Sequence, residues 1–409
     1  MENKYEKIKE LLIKYNQEQL LEYDIENNEI LLDEILNINF DELNDLYKKA
    51  INKEEKKEYN ISPIPFIDKD KIPEEEKKEF EKIGTKIIKS KQYGIVTMAG
   101  GQGSRLGHNG PKGTYDFGLK THKTIFEVLI DNLKEAYKKY GVYIPWYIMT
   151  SRQNHNDTIE FFERNNYFNY PKEYITFFKQ GEYPVLNEEG KVLLDKNRTI
   201  NKAADGHGGV FASIMNNKII ENMRKRKIKW IFIGPVDNVL VNMVDPIFIG
   251  LCEKRKVLAG GKSIVKAYPE EKVGVFCMKD NKPSVIEYTE ISKELSEKKN
   301  ENGELVFAES HINCNLFNIE VIEKLCKEKL PYHSAYKKIE YLDKEGVIIK
   351  PNTPNAYKFE TFIFDAFEQL GKMEILRVKR EEEFAPIKNA EGNDSPETAR
   401  KLYEKFYNI

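Results

Sequence analysis

A chain of 409 residues is too long for one small core and predicts a main domain with smaller appendages. Its 65 basic and 67 acidic residues nearly cancel, which removes the strongly positive field that general nucleic-acid binding needs. Cys252, Cys277, Cys314 and Cys326 form no CxxC pair and have no histidine at zinc spacing, so they read as reduced, buried thiols of a cytoplasmic protein. The N-terminus is charged from Glu2 onward and no apolar run approaches the ~20 residues of a membrane span, so neither a signal peptide nor a membrane helix is expected.

Residues 1–88 read as a helical N-terminal appendage and linker, and residues 89–409 as the main domain with a short C-terminal segment. Ile8, Leu11, Leu12 and Tyr15 recur at helical spacing, and a second helical pattern surrounds Leu43 and Leu46. The charged runs Glu54-Glu55-Lys56-Lys57 and Glu74-Glu75-Glu76-Lys77-Lys78 read as solvated helix faces. The stretch from Ile61 to Pro73, punctuated by Pro63, Pro65 and Pro73, reads as a linker.

From Tyr93 onward short apolar, β-branched runs alternate with amphipathic helices, which predicts an α/β fold. Tyr93 to Met98, Trp146 to Thr150 and Trp230 to Ile233 read as buried strands. Between the first two, Ile125, Val128, Leu129, Leu133, Ala136, Tyr137 and Tyr140 follow the 3.6-residue period and Gly141 marks a helix stop. Strand, helix and strand in that order imply a parallel sheet.

The segment Ala99-Gly100-Gly101-Gln102-Gly103-Ser104-Arg105-Leu106-Gly107 follows the first strand directly. Glycines at the carboxyl end of such a strand let backbone N–H groups approach a phosphate, although a tight turn without ligand would use them too. The segment lacks the GxGxxG spacing of dinucleotide binders, and Arg105 and then Lys112 add cations that such loops do not need. Asp237, at the end of the third strand, suits a metal post or a strand-end cap. Nucleotidyl transfer to a sugar phosphate asks for this set. The attacking oxygen is already anionic near pH 7, so positioning and charge neutralisation replace a general base.

The chain resembles the UDP-sugar pyrophosphorylase superfamily, and within it most closely the UDP-N-acetylglucosamine pyrophosphorylase branch, from about Tyr93 to Arg400. The motifs that carry the resemblance are the glycine segment, Pro111-Lys112-Gly113-Thr114-Tyr115, Ile144 to Ser151, Val236-Asp237-Asn238 and Val241 to Pro246. They continue through Glu287 to Ile291, Lys337-Lys338-Ile339, Pro354 to Lys358 and Glu383 to Asn389. The resemblance implies a Rossmann-like mixed-sheet nucleotidyltransferase core that makes a UDP-sugar and pyrophosphate from UTP and a sugar 1-phosphate. It implies that Gly100, Gly101, Gln180 and Gly206 contact the uridine, that Arg105 and Lys112 hold the triphosphate, and that Asp237 helps bind Mg2+. Lys358 and Lys388 match family lysines that contact the product phosphates.

Three departures stand out. Asp205-Gly206-His207-Gly208-Gly209 places a histidine where the acetylated-sugar enzymes carry asparagine, and His311 replaces a second sugar-contacting asparagine. Together they predict that an unacetylated hexose 1-phosphate is accepted at least as well as the acetylated sugar. The chain also ends soon after Arg400, where larger relatives continue into a small β-rich domain, so any role of that domain is expected to be absent or placed elsewhere. Rival expectations are a nicotinamide-dependent oxidoreductase and a catalytically silent nucleotide-sugar binder on the same fold. No membrane partner is expected, and nothing in the sequence signals an oligomeric state.

Overall fold

Every residue of Tyr93–Met98 and of Trp146–Thr150 is buried. Strands apolar on both faces need cover on both, which suits the middle of a parallel sheet. In the computed structural model, which describes residues 2–52 and 59–409, the two strands lie parallel, with Ile95 opposite Trp146. Ile175–Lys179 adds beyond Trp146–Thr150, and Trp230–Pro235 pairs on the other side of Tyr93–Met98, all parallel. Chain order therefore runs outward one way and restarts on the other side. The carboxyl ends of Tyr93–Met98 and Trp230–Pro235 thus part at a topological switch point, where open α/β sheets bind ligands.

Glu309–Asn318 enters antiparallel between Trp230–Pro235 and Ala259–Val265, which makes the sheet mixed. Glu374–Arg377 and Ile67–Asp68 extend it in parallel, while Val275–Lys279 branches from Glu309–Asn318 and carries Lys282–Ile286 and Ile61–Pro63. Eleven strands are joined this way among the described residues. The segment from Ile61 to Pro73 is therefore not a linker. Ile61–Pro63 and Ile67–Asp68 are short strands of this sheet, and Pro63 is tolerated because its strand pairs on one side only.

The helix Ile125–Tyr140 begins at a capping box of Thr124 and Glu127 and ends at Gly141 in the left-handed conformation. Ile125, Val128, Leu129, Leu133, Ala136 and Tyr140 are buried in the main core, and each large side chain among them contributes about 1.5–3 kcal/mol by burial. Tyr137 departs from the periodic reading: it is exposed and stacks on Tyr143 with ring centroids 4.1 Å apart.

The chain divides into two compact units. The larger holds the sheet and spans 59–180, 210–329 and 363–409; the smaller spans 1–58, 181–209 and 330–362. The smaller unit begins with the helices Glu2–Lys14, Glu29–Leu36 and Phe40–Ile51, the last two capped by Asn28 and Asn39. Three short helices cannot bury their own apolar faces. Ile8, Leu12, Leu32, Ile35 and Phe40 share a core with Leu186, Leu194, Ile200, Leu342 and Phe359 from the two later segments. The units thus divide the chain differently from a boundary at residue 88, since residues 59–88 fold with the large sheet.

Glu74 to Lys78 open the helix Glu74–Lys89, whose acidic first turn favours its N-terminus; the run Glu54 to Lys57 lies outside the described residues. Cys252, Cys277 and Cys314 are buried free thiols and Cys326 is half-buried. No helix among the described residues is long and apolar enough to cross a membrane.

Candidate active site

The glycine segment leaves the carboxyl end of Tyr93–Met98 and folds back on itself. Gly103 N donates to Gly110 O at 2.9 Å and Lys112 N to Gly101 O at 3.0 Å. Asn154, which has no exposed surface, ties the loop down through Nδ2, 3.0 Å from Ala99 O and 3.3 Å from Gly101 O. Its Oδ1 accepts from Ser151 N at 2.8 Å. Sequence spacing alone does not single out Asn154; its signal is a serine three residues earlier at the strand-to-helix turn. Gln180 folds over the same loop. A Cβ on Gly100 would lie 1.9 Å from Gln180 Oε1, so only glycine allows the amide this approach, and a Cβ on Gly101 would meet open space. Arg105 is exposed on the loop.

Lys112 and Asp237 meet across the switch point. Lys112 Nζ lies 3.2 Å from Asp237 Oδ2, and both side chains keep a fifth or less of their surface exposed. Residues Glu383 to Lys388 are laid against the Asp237 strand end. Ile387 N donates to Asp237 O at 2.9 Å, Asn238 Nδ2 donates to Glu383 O at 2.8 Å, and Asn238 Oδ1 accepts from Ala385 N at 2.8 Å. Lys388 follows at once, with Nζ 3.9 Å from Asp394 Oδ2.

A buried ion cluster fixes Glu383 itself. Lys262, wholly buried, stands 2.5 Å from Glu383 and 2.9 Å from Asp245, and Lys69 joins the same two carboxylates at 2.9 and 2.8 Å. Burial alone would raise the Asp245 carboxyl; Lys262 and Lys69 override it and hold it well below the usual range. Burial would lower Lys69, and Asp245 and Glu383 reverse that, so the ammonium stays charged.

His311 stands on Glu309–Asn318, where Asn315 faces Ile233 in antiparallel register. Four residues back along that strand, it reaches past the carboxyl end of Trp230–Pro235. Its Nε2 is 3.1 Å from Asn315 Oδ1, and Phe276, Phe364 and Phe367 present their rings to it at 4.9 to 6.0 Å. His311 N donates to Gly274 O at 2.8 Å, and a Cβ on Gly274 would stand 3.1 Å from Glu287 Oε1, so a carboxylate neighbours this corner.

Gly206, His207 and Lys358 belong to the smaller unit. Thr361 N and Oγ1 both donate to Asp205 O, at 2.7 and 3.0 Å, and Gly208 N donates to Thr361 O at 2.9 Å. Gly206 has φ +83° and a Cβ there would fall 2.3 Å from Thr361 O, so the turn requires glycine. His207 packs against Phe362, which stacks on His333. Burial, helped by His333, pushes the His207 imidazole down to about 4, so it is neutral at pH 7. Burial, partly offset by a backbone hydrogen bond and reinforced by Glu182, pushes Asp205 up to about 6. Lys358 Nζ pairs with Glu360 Oε1 at 2.8 Å.

The geometry therefore groups Gly100 with Gln180, Gly101 with Lys112, and Lys112 with Asp237 and the Lys388 segment. Among the described residues no group of three or more His, Cys, Asp or Glu side chains is placed to hold a metal ion. The sequence pattern of the UTP--glucose-1-phosphate uridylyltransferase family matches residues 40–394. The UDP-N-acetylglucosamine pyrophosphorylase of Saccharomyces cerevisiae is 39% identical over 361 residues, 85% of this chain and 76% of that one. The UDP-N-acetylglucosamine diphosphorylase 2 of Arabidopsis thaliana is 33% identical over 424 residues, 97% of this chain and 83% of that one. The crystal structure of the uridine diphosphate N-acetylglucosamine pyrophosphorylase from Trypanosoma brucei superposes with a TM-score of 0.82 at 28% identity, covering 98% of this chain and 84% of that one.

Proposed function

Because the chain belongs to the UTP–glucose-1-phosphate uridylyltransferase family, we propose that it transfers the uridylyl group of UTP to an N-acetylhexosamine 1-phosphate. An oxygen of the sugar phosphate attacks the α-phosphorus of UTP, the bond to the β-phosphate breaks, and its electron pair leaves with pyrophosphate. The observation that carries this reading is the Lys112–Asp237 pair, 3.2 Å apart where the glycine loop and a second strand end part. Lys112 and Arg105 supply fixed positive charge for the departing pyrophosphate, which is the main demand of such a step. Gly100 and Gly101 offer main-chain groups and Gln180 an amide that suit the donor and acceptor edge of uracil. Lys388, which follows the segment laid against Asp237, contributes charge toward the product phosphates.

Asp237 fits Mg2+ as a single hard oxygen donor beside a phosphate loop, since Mg2+ commonly takes one or two carboxylates and completes its shell from substrate phosphates and water. When bound, the ion neutralises phosphate charge. Buried, unpaired thiols suit a cytoplasmic enzyme.

The acetylated sugar is supported by the names of the relatives. His207 and His311, standing where acetylated-sugar enzymes carry asparagine, favour a second reading with an unacetylated hexose. The test is kcat/KM with N-acetylglucosamine 1-phosphate, glucose 1-phosphate and galactose 1-phosphate. A preference above about tenfold for the acetylated sugar, ~1.4 kcal/mol in transition-state binding, supports the first reading. Equal or reversed preference transfers the site to the second.

A further inference from the structure

Between Arg105 and Lys112 the chain turns through Gly107-His108-Asn109-Gly110, and His108 folds back into that turn. Its ring Nε2 lies 2.8 Å from Thr114 Oγ1, while Thr114 Oγ1 donates to Pro111 O at 2.8 Å. A hydroxyl has one proton, and here it points at a carbonyl. Thr114 Oγ1 therefore accepts from the histidine, and the ring carries its proton on Nε2.

The rest of His108 is held as closely. Its ring packs edge-on against Tyr115, with centroids 5.5 Å apart. Its Cβ occupies the place beside Gly103 where a second Cβ would come within 2.7 Å, and its main-chain N donates to Gly103 O at 3.1 Å. Gly113, in the turn bearing Lys112, is pressed onto Phe126, where a Cβ would approach to 2.2 Å. The turn bearing Lys112 is thus seated on the core, and one half-buried histidine ties it to the loop bearing Arg105.

We propose that His108 is a positioning residue for uridylyl transfer, which through Thr114 fixes the turn that aims Lys112 at Asp237. The proposal rests on the reading of Lys112 as a cation for the phosphates. His108 contacts no reacting atom in this account; it acts only through the placement of Lys112.

The test uses the full chain and pyrophosphate release at saturating UTP, Mg2+ and the preferred sugar 1-phosphate. Activity of the unaltered chain establishes the parent reading first; its absence would remove that reading. With activity present, His108→Ala and Thr114→Val should each lower kcat about tenfold, the scale of one hydrogen bond that orders a charged group. UTP KM should change by less than about threefold, since the loss falls on transition-state placement. Thr114→Ser, which keeps the hydroxyl, should stay near the unaltered rate, and the His108→Ala/Thr114→Val double variant should be no worse than either single one. In a Lys112→Ala background, His108→Ala should cost less than about twofold, because its only route of action is gone. Full-sized loss in that background, equal loss in Thr114→Ser, or unchanged kcat in His108→Ala would each overturn the proposal. Thr114→Ser and Thr114→Val share the same site, so their contrast holds even where His108→Ala folds poorly.

Discussion

Two regions, one in each unit, handle buried charge in opposite ways. In the larger unit charge is kept and paired: Lys112 faces Asp237, and Lys262, although wholly buried, stands within 2.9 Å of both Asp245 and Glu383. In the smaller unit burial works against the charged forms of two adjacent groups. His207 is held neutral, with its imidazole at about 4, and Asp205, whose Oδ1 is buried with no hydrogen-bond partner, is raised to about 6. The contrast follows from the chemistry assigned to each. Moving charge between phosphates needs permanent, preorganised charge, whereas reading a base edge or a sugar hydroxyl needs neutral donors and acceptors in fixed directions.

The most severe way to break the paired side is Lys262→Met, which leaves Asp245 and Glu383 to share Lys69. Removing one partner of a buried ion pair costs about 3–5 kcal/mol, so urea unfolding of this variant should show a loss of that size. A loss under about 1 kcal/mol would mean that the cluster contributes little to the fold.

Asp237→Asn keeps the size of the side chain and removes its charge. Turnover should fall by roughly 10²-fold or more, about 2.7 kcal/mol, with the unfolding midpoint barely moved. A Mg2+ titration at fixed UTP should require more metal than the unaltered chain. Unchanged turnover and metal dependence would leave Asp237 as a strand-end cap.

On the suppressed side, Asp205→Asn removes a carboxylate that ionises only against burial. A carboxyl raised from its usual 3.8 to about 6 contributes stability fully below pH 4 and loses it as pH rises through 6. The asparagine variant should therefore gain about 3 kcal/mol at pH 7 and nothing below pH 4. A gain independent of pH would show that packing, not ionisation, is responsible. His207→Gln is expected to have the smallest effect at pH 7, with the opposite slope. A histidine lowered from 6.5 to about 4 loses stability as pH falls through that window, so the glutamine variant should hold its melting temperature better between pH 6.5 and 4 and match the unaltered chain at pH 7.5. Parallel melting curves across that range would place the ring in solvent.

The sequence shows the parallel centre of the large sheet, and the Lys112 and Asp237 charges beside it, because their signals are local. Tyr93 to Met98 is a continuous apolar run, and Lys112 and Asp237 follow glycine or strand-end signals within a few residues. What stays hidden depends on distant partners. Lys262 sits in Ala259–Val265 as a lone charge in a buried strand, and its carboxylate Glu383 is 121 residues away. Ile61–Pro63 reads as a linker because its pairing partner, Val275–Lys279, cannot be seen from proline spacing. The first helices look like an appendage until Leu186, Leu342 and Phe359 arrive to finish their core. Tyr137 keeps the helical period yet faces out, since a tyrosine can stack on a surface neighbour as readily as it can be buried.

If paired charge at the switch point drives uridylyl transfer, the steady-state turnover of Lys112→Ala must show it. With UTP, Mg2+ and a sugar 1-phosphate, the unaltered chain should form UDP-sugar and pyrophosphate in equal amounts. The variant should do so about 10²-fold or more slowly while unfolding at a similar urea concentration. Near-normal turnover in Lys112→Ala, or no pyrophosphate from the unaltered chain with any sugar 1-phosphate, would contradict the account.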